Sequence, residues 1–142
     1  MIEFKDVCKI YDTNIEREKA LDKVSLKIED GEFVYIIGAN GSGKSTLVKL
    51  INCEERLTSG SITFDEYKLE KIKRRQIPYL RRKVGMVFQD FKLIENMSVY
   101  DNIAFALRVT DRPAREIRRK VPKILEVMGL TKKANCRPGE LS

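Results

Sequence analysis

The sequence predicts an α/β fold, and three patterns lead to that prediction. The run FVYII at residues 33–37 is β-branched and aromatic throughout, which is typical of a strand buried on both faces of a sheet. A glycine-rich stretch follows it directly. From residue 44 to residue 51, apolar side chains then recur at helical spacing. A strand that leads through a glycine-rich loop into an amphipathic helix is typical of α/β domains.

The composition is that of one soluble globular domain. The 142 residues include 28 Lys and Arg against 21 Asp and Glu, giving a net charge of +7, and 42% of them are hydrophobic. The absence of histidine excludes a Ser-His-Asp triad and a Cys-His pair. No apolar run approaches the roughly 18 residues needed to span a bilayer. The first residues also lack a signal-peptide pattern, so we expect a cytosolic protein.

Further strands are expected on both sides of the glycine-rich stretch. Residues 21–28 alternate between apolar and polar side chains, and their second half indicates a half-buried strand. The dipeptide at residues 30–31 marks a turn. A short strand is predicted at residues 61–64, and another buried strand at residues 84–88.

The residues after 91 are predicted to be helical. Ser98 begins a capping-box pattern before one helix, and Asp111 is expected to cap the next, with Pro113 in its first turn. Gly129 is the expected stop of that second helix. Pro122 lies inside it and is expected to kink or split it. The apolar stripe of the second helix comprises Ile117, Val121, Ile124, Leu125 and Met128.

The strongest functional signal is GANGSGKS at residues 38–45, which matches the pattern G-x-x-x-x-G-K-[ST] in full. Its glycines let the backbone curl, so that N–H groups and the following helix N-terminus bind phosphate oxygens. Lys44 can reach the β- and γ-phosphates, the Ser45 hydroxyl can ligate Mg²⁺, and Thr46 is placed to touch the α-phosphate. The predicted phosphate-binding residues are Gly38, Ala39, Asn40, Gly41, Ser42, Gly43, Lys44, Ser45 and Thr46.

A glycine-rich loop can also be a plain turn. The buried-strand pattern before this one and the amphipathic helix after it favour binding of a nucleoside triphosphate. The motif alone does not choose between a kinase, a GTPase and a transport ATPase.

Two further segments resemble the ATP-binding-cassette (ABC) ATPases. Tyr11 precedes the motif where that family has an aromatic ring that stacks on adenine, and VGMVFQD at residues 84–90 resembles the family's Q-loop. The resemblance implies catalytic roles for Lys44 and Gln89, nucleotide contacts for Tyr11 and Gln89, and Mg²⁺ ligation by Ser45 and Gln89. The alternatives are that Tyr11 packs within a strand and that Gln89 is a solvated turn residue.

The sequence also begins a third family motif. PGELS at residues 138–142 resembles the approach to the ABC signature LSGGQ and contains only its first two residues. The Walker B segment, with the glutamate that polarises water, does not occur in the sequence. We therefore expect a truncated domain that binds Mg·ATP with little or no hydrolysis. We also expect it to expose apolar segments that the missing strands would cover.

The resemblance implies an incomplete ABC-type nucleotide-binding domain of the P-loop NTPase fold. Residues 1–90 would form the nucleotide-binding core, with an N-terminal antiparallel β portion, the phosphate loop and the Q-loop. Residues 91–142 would form the start of the α-helical subdomain, ending at the beginning of the signature motif.

Within the family, the stretches 77–85, 98–107 and 115–122 resemble the cell-division ATPases. Methionine-import and lipoprotein-release ATPases share much of the pattern and are alternatives. The resemblance implies ATP and Mg²⁺ as cofactors, an integral membrane partner of the FtsX type, and a homodimer for the full-length domain. It also implies a cytoplasmic location, peripheral on the inner face of the cell membrane. A non-catalytic binding module made from a truncated ATPase and a small-molecule kinase are alternatives from other classes.

Two basic clusters, at residues 68–83 and 112–123, allow three interpretations. They can form a solvated surface, attract an anionic leaflet or an acidic membrane partner, or bind nucleic acid. Neither cluster belongs to a recognised nucleic-acid-binding motif, so no specific nucleic-acid partner is predicted.

Overall fold

A computed structural model describes residues 1–12 and 17–141 of the chain. The chain divides into two compact units, the first comprising Met1–Gly85 and the second beginning at Met86. The predicted boundary between residues 90 and 91 stays a prediction.

The first unit is built on an antiparallel sheet. Strand β1 (Ile2–Asp12) pairs on one side with β2 (Arg17–Ile28) and on the other with β3 (Ser59–Phe64), which in turn pairs with the short β4 (Tyr67–Lys68). The order of the four strands in the described chain is therefore β2-β1-β3-β4. We call β1 the central strand, because it pairs with a long strand on each side, whereas β3 has only the two-residue β4 on its outer side.

An irregularity in β1 decides which of its side chains face the core. The register of β1 with β2 shifts between Phe4 and Val7, and Asp6 between them has a left-handed φ of 46°. Phe4 and Val7 are consequently both buried, although their spacing is odd. The register with β2 shifts again between Val7 and Lys9, yet both residues are buried, so both lie on the core face.

An eight-residue helix and a five-residue helix complete the core of the first unit. Helix α1 (Lys44–Ile51) buries Leu47 and Leu50 against the core face of the sheet, and α2 (Ile77–Arg81) adds Leu80. The strands, α1 and the residues that join them therefore form one hydrophobic cluster, and its buried members are Phe4, Val7, Leu21, Leu47, Leu50, Ile62, Leu69 and Leu80. The predicted helix at 44–51 and the predicted strands within 21–28 and at 61–64 are confirmed.

The two segments predicted as buried strands are not strands. Residues 33–37 and 84–88 are irregular, and Ile37 and Val87 are 89% and 92% exposed. A strand requires a neighbour that takes up its N–H and C=O groups, and no strand in the described chain pairs with either segment. The prediction of a strand was therefore wrong, whereas the expectation that these segments expose apolar surface is confirmed.

The second unit is a pair of helices, α3 (Val99–Val109) and α4 (Ala114–Val127). They pack through a cluster whose buried members are Val99, Ala104, Ile117, Val121 and Leu125. The predicted cap of α3 is confirmed, because the Ser98 hydroxyl accepts a hydrogen bond from the Asp101 N–H at 3.0 Å.

Helix α4 ends as predicted but begins differently. Gly129 has a φ of 68°, and its N–H and that of Leu130 donate to the carbonyls of Glu126 and Leu125, which is a Schellman motif. At the other end, Pro113 and not Asp111 occupies the N-cap position. A proline keeps the residue before it out of the helical region, and Pro113 itself is extended with a ψ of 146°, so the helix begins only at Ala114.

Pro122 does not split α4, which is one continuous helix. A proline removes one backbone hydrogen bond from a helix interior. Ile117, Val121 and Leu125 lie four residues apart and are all buried, so packing on both sides of Pro122 keeps the helix in one piece.

Candidate nucleotide-binding site

The phosphate-binding motif forms the loop that leads into α1. Gly43 is the N-cap of the helix, and the first helical hydrogen bond runs from the Leu47 N–H to the Gly43 carbonyl at 3.0 Å. The N–H groups of Lys44, Ser45 and Thr46 precede that bond, so they have no carbonyl partner within the helix. Together with the helix dipole, such N–H groups form a site that attracts anions.

The side chain of Lys44 folds back over this loop. Its ammonium group donates to the carbonyls of Gly38 at 2.8 Å and Ala39 at 2.6 Å, and to the Ser42 hydroxyl at 3.4 Å. A further bond closes the loop, from the Ser42 N–H to the Ala39 carbonyl at 3.3 Å. The positive charge is therefore held against the same loop whose backbone N–H groups begin the helix.

Gly43 lets the loop lie directly on the sheet. Its φ of 88° is left-handed, and a Cβ at this position would overlap the Ala20 carbonyl oxygen and lie 2.9 Å from Leu21 Cδ2. Ala20 and Leu21 belong to β2. Glycine is thus required both by the backbone conformation and by the close approach of β2.

The Tyr11 side chain lies beside the first turn of α1. Its hydroxyl donates to Thr46 Oγ1 over a long distance of 3.5 Å. Thr46 is buried, while Ser45 before it is exposed at the helix N-terminus. The structure therefore brings together two predicted parts of the site that are far apart in the sequence, Tyr11 of β1 and the phosphate loop.

Lys9 is a residue that the sequence analysis missed. Its ammonium group lies 4.6 Å from the centroid of the Tyr11 ring and donates to a carboxylate oxygen of Glu55 at 2.8 Å and to the Arg56 carbonyl at 2.9 Å. Glu55 and Arg56 lie 46 and 47 residues away along the chain, so no local pattern in the sequence points to these contacts.

Gln89 lies in the second unit and is exposed, and its predicted contacts with Mg²⁺ and water stay predictions. Close by, a hydrogen bond from Lys92 lowers the pKa of the Asp90 carboxyl group. The predicted signature segment begins with a short 3-10 turn at Pro138–Glu140, and Ser142 lies outside the described residues.

Comparisons with protein families and curated proteins agree with this geometry. The family model described as "ABC transporter" matches residues 21–142. The cell division ATP-binding proteins FtsE of Bacillus subtilis and Mycobacterium tuberculosis are each 44% identical to all 142 residues, which cover 61% of either relative. The methionine import ATP-binding protein MetN 2 of Bacillus cereus is 39% identical, and the match covers 42% of its length.

Solved structures give the same picture. A dimeric ATP-binding cassette in a post-hydrolysis state, bound to ADP and Pi, matches with a TM-score of 0.86 and 35% identity over 100% of this chain and 63% of the other. A dimeric bacterial ABC transporter cassette matches with a TM-score of 0.87 at the same identity and coverage.

The fold and the loop geometry define a P-loop nucleotide-binding domain. The family match and the identities go further, and the chain belongs to the ABC transporter family. The predicted fold class, an incomplete ABC-type nucleotide-binding domain with an antiparallel β portion and helices, is confirmed. The chain spans about three-fifths of the length of its FtsE relatives. Among the described residues, no helix has both the length and the apolar character needed to cross a bilayer.

Proposed function

We propose that the chain binds Mg·ATP at the loop formed by residues 38–46 and serves as the ATP-binding part of a membrane complex. The observation that carries this proposal is the position of the Lys44 ammonium group, held by the loop carbonyls beside the N-terminus of α1. A point charge next to free backbone N–H groups is the arrangement that binds a polyphosphate chain.

Each residue has a proposed part in holding the nucleotide. Lys44 binds the β- and γ-phosphates, Thr46 the α-phosphate, and Tyr11 stacks on the adenine. The exposed hydroxyl of Ser45 suits Mg²⁺, which prefers oxygen ligands, and Gln89 is proposed as a second ligand. The bound ion would neutralise charge on the phosphate oxygens.

Hydrolysis is proposed for the full family domain and not for residues 1–142 alone. In ABC ATPases the glutamate that polarises water belongs to the Walker B segment, which these 142 residues do not contain. We therefore expect the chain to bind Mg·ATP with little turnover. Rapid turnover by the pure chain that Lys44→Ala abolishes would contradict this part of the proposal.

The binding proposal is tested by the change Lys44→Ala, measured by isothermal titration with Mg·ATP. Loss of a charge-assisted contact to phosphate is expected to weaken binding about 10- to 100-fold. Lys49→Ala on the same helix is the matched control, because Lys49 is exposed and lies in the last turn. If both variants bind as tightly as the wild type, the loop is not the nucleotide site.

We further propose that this ATP-binding part acts in cell division with an integral membrane subunit of the FtsX type, as a homodimer on the cytoplasmic face. The 44% identity to FtsE proteins, against 39% to a MetN protein, supports this choice over methionine import. Purification of the tagged protein from membranes of its own cells tests it. Co-purification of an FtsX-type protein supports the proposal, and co-purification of a methionine permease or a lipoprotein-release subunit instead overturns it.

A further inference from the structure

Lys9 places a charged group on the core face of the central strand. The side chain follows Val7 along β1 on the face that packs on α1, and the residue is only 8% exposed. A cation in such a position is destabilising unless it is paired and hydrogen-bonded. Its presence on this face therefore requires an explanation in terms of what it contacts.

The ammonium group of Lys9 connects three parts of the first unit. It is anchored by the carboxylate of Glu55 and the carbonyl of Arg56, both of which follow α1 in the chain. The loop that supplies these anchors is itself bonded to β1, since the Thr58 N–H donates to the Cys8 carbonyl at 2.8 Å. The ammonium group thus has a fixed position and is not a mobile surface charge.

The third contact of Lys9 is the face of the Tyr11 ring. At 4.6 Å from the centroid, the ammonium lies within the range of a cation–π interaction. The ring is also held at its far end by the long contact between its hydroxyl and Thr46 Oγ1. Two contacts at different points of the ring restrict both its rotation and its tilt.

We propose that Lys9 is a positioning residue that fixes the Tyr11 ring for stacking on the adenine base. The inference deepens the proposed function and rests on it. A base that stacks on Tyr11 uses the ring face opposite Lys9, because the ammonium group covers the other face. A ring held in advance loses less conformational freedom when the base binds, and the affinity for ATP is correspondingly higher.

This role makes a selective prediction about ligands. Inorganic tripolyphosphate has the phosphate chain of ATP but no base, so it occupies the loop without using Tyr11. Removing the charge of Lys9 weakens the binding of ATP and leaves that of tripolyphosphate unchanged. A purely structural role of Lys9 would affect both ligands equally, because both depend on an intact loop.

The test measures binding of Mg·ATP and Mg·tripolyphosphate to the full chain by isothermal titration. Lys9→Met is expected to weaken ATP binding about three- to tenfold, with tripolyphosphate affinity changed less than about twofold. Lys9→Arg keeps a cation over the ring and is expected to restore most of the ATP affinity. Lys5→Met, on the same strand but exposed, is the control and is expected to change neither affinity.

Two results overturn the inference. If Lys9→Met weakens the binding of both ligands equally, Lys9 has a structural role. If Lys9→Met leaves the affinity for ATP unchanged, Lys9 has no role in binding the base. Glu55→Gln provides a second route if Lys9→Met does not fold, as judged by circular dichroism. It keeps the lysine and weakens only its anchor, so it is expected to show a smaller loss that is again confined to ATP.

Failure of the proposed function gives a different pattern. If the wild type binds neither ligand, the phosphate loop is not a nucleotide site. If the wild type binds both and Tyr11→Leu leaves ATP affinity unchanged, the loop functions but Tyr11 does not hold the base. The inference about Lys9 is tested directly when Tyr11→Leu weakens ATP binding alone.

Discussion

Gly43 illustrates how much of the phosphate loop depends on one residue. Its left-handed backbone and its contact with the Ala20 carbonyl are separate requirements, and a larger side chain violates both. Gly31 offers a comparison, because its φ of 82° is similar but no atom lies within 4 Å of a Cβ built there. Comparing alanine substitutions at the two glycines therefore separates the destabilisation caused by backbone strain from that caused by steric overlap.

We predict that Gly43→Ala destabilises the fold more than Gly31→Ala does. The left-handed conformation alone is expected to lower the free energy of unfolding of Gly31→Ala by about 1 kcal/mol. Overlap with β2 adds about 1–3 kcal/mol at Gly43. Urea unfolding measures both free energies, and equal losses would show that β2 does not press on the loop.

Among the secondary-structure elements, α3 depends on its cap. The Ser98 hydroxyl accepts from the Asp101 N–H and donates to the Asp101 carboxylate at 2.8 Å. We expect Ser98→Ala to lower the free energy of unfolding of the second unit by about 1 kcal/mol. Ser98→Asn keeps a capping oxygen and should retain most of this stability in thermal unfolding. A loss as large in Ser98→Asn as in Ser98→Ala would argue against the cap.

Helix α4 should respond to acid through Glu116. A hydrogen bond from Lys120 at 2.6 Å, with further attraction from Arg112 and Arg119, lowers the pKa of the Glu116 carboxyl group. Because the pKa is lower in the folded state, the ionised carboxylate stabilises the fold above its ordinary pKa. That contribution is lost as the pH falls below this ordinary value and through the lower pKa of the folded state.

The measurement is the unfolding midpoint as a function of pH for the wild type and Glu116→Gln. The wild type should lose more stability than the variant across this acid range. Glu126→Gln on the same helix is the control and should follow the wild type. Parallel curves for the wild type and Glu116→Gln would exclude the ion pair as a source of stability.

At the scale of the whole molecule, the distribution of apolar residues is uneven. Ile62 is completely buried in the first unit, whereas Ile37 is 89% exposed. We predict that Ile62→Ala lowers the free energy of unfolding by about 2–5 kcal/mol. Ile37→Ala is expected to change it by less than about 0.5 kcal/mol. Urea unfolding compares the two directly, and a large loss in Ile37→Ala would place that residue in a core.

The sequence was informative where the signal is local. The helix 44–51, the Ser98 cap and the Gly129 stop each depend on residues a few positions apart, and the structure contains these elements as predicted. The apolar pattern at residues 33–37 indicates a preference for burial. A strand also needs a neighbouring strand to hydrogen-bond with, and the pattern of one segment does not show whether such a neighbour is present. Lys9 was missed for a related reason, because its partner Glu55 is distant in sequence.

The exposure of residues 33–37 has a consequence for the behaviour of many copies of the chain together. The five residues are β-branched or aromatic, and they carry neither charge nor proline. Short segments of this kind stack between identical molecules as cross-β structure. Glu32 precedes them, so a parallel stack of copies would bring like charges together, which is expected to oppose fibril nucleation. Removal of the Glu32 charge is therefore expected to make the chain aggregate more readily at high concentration.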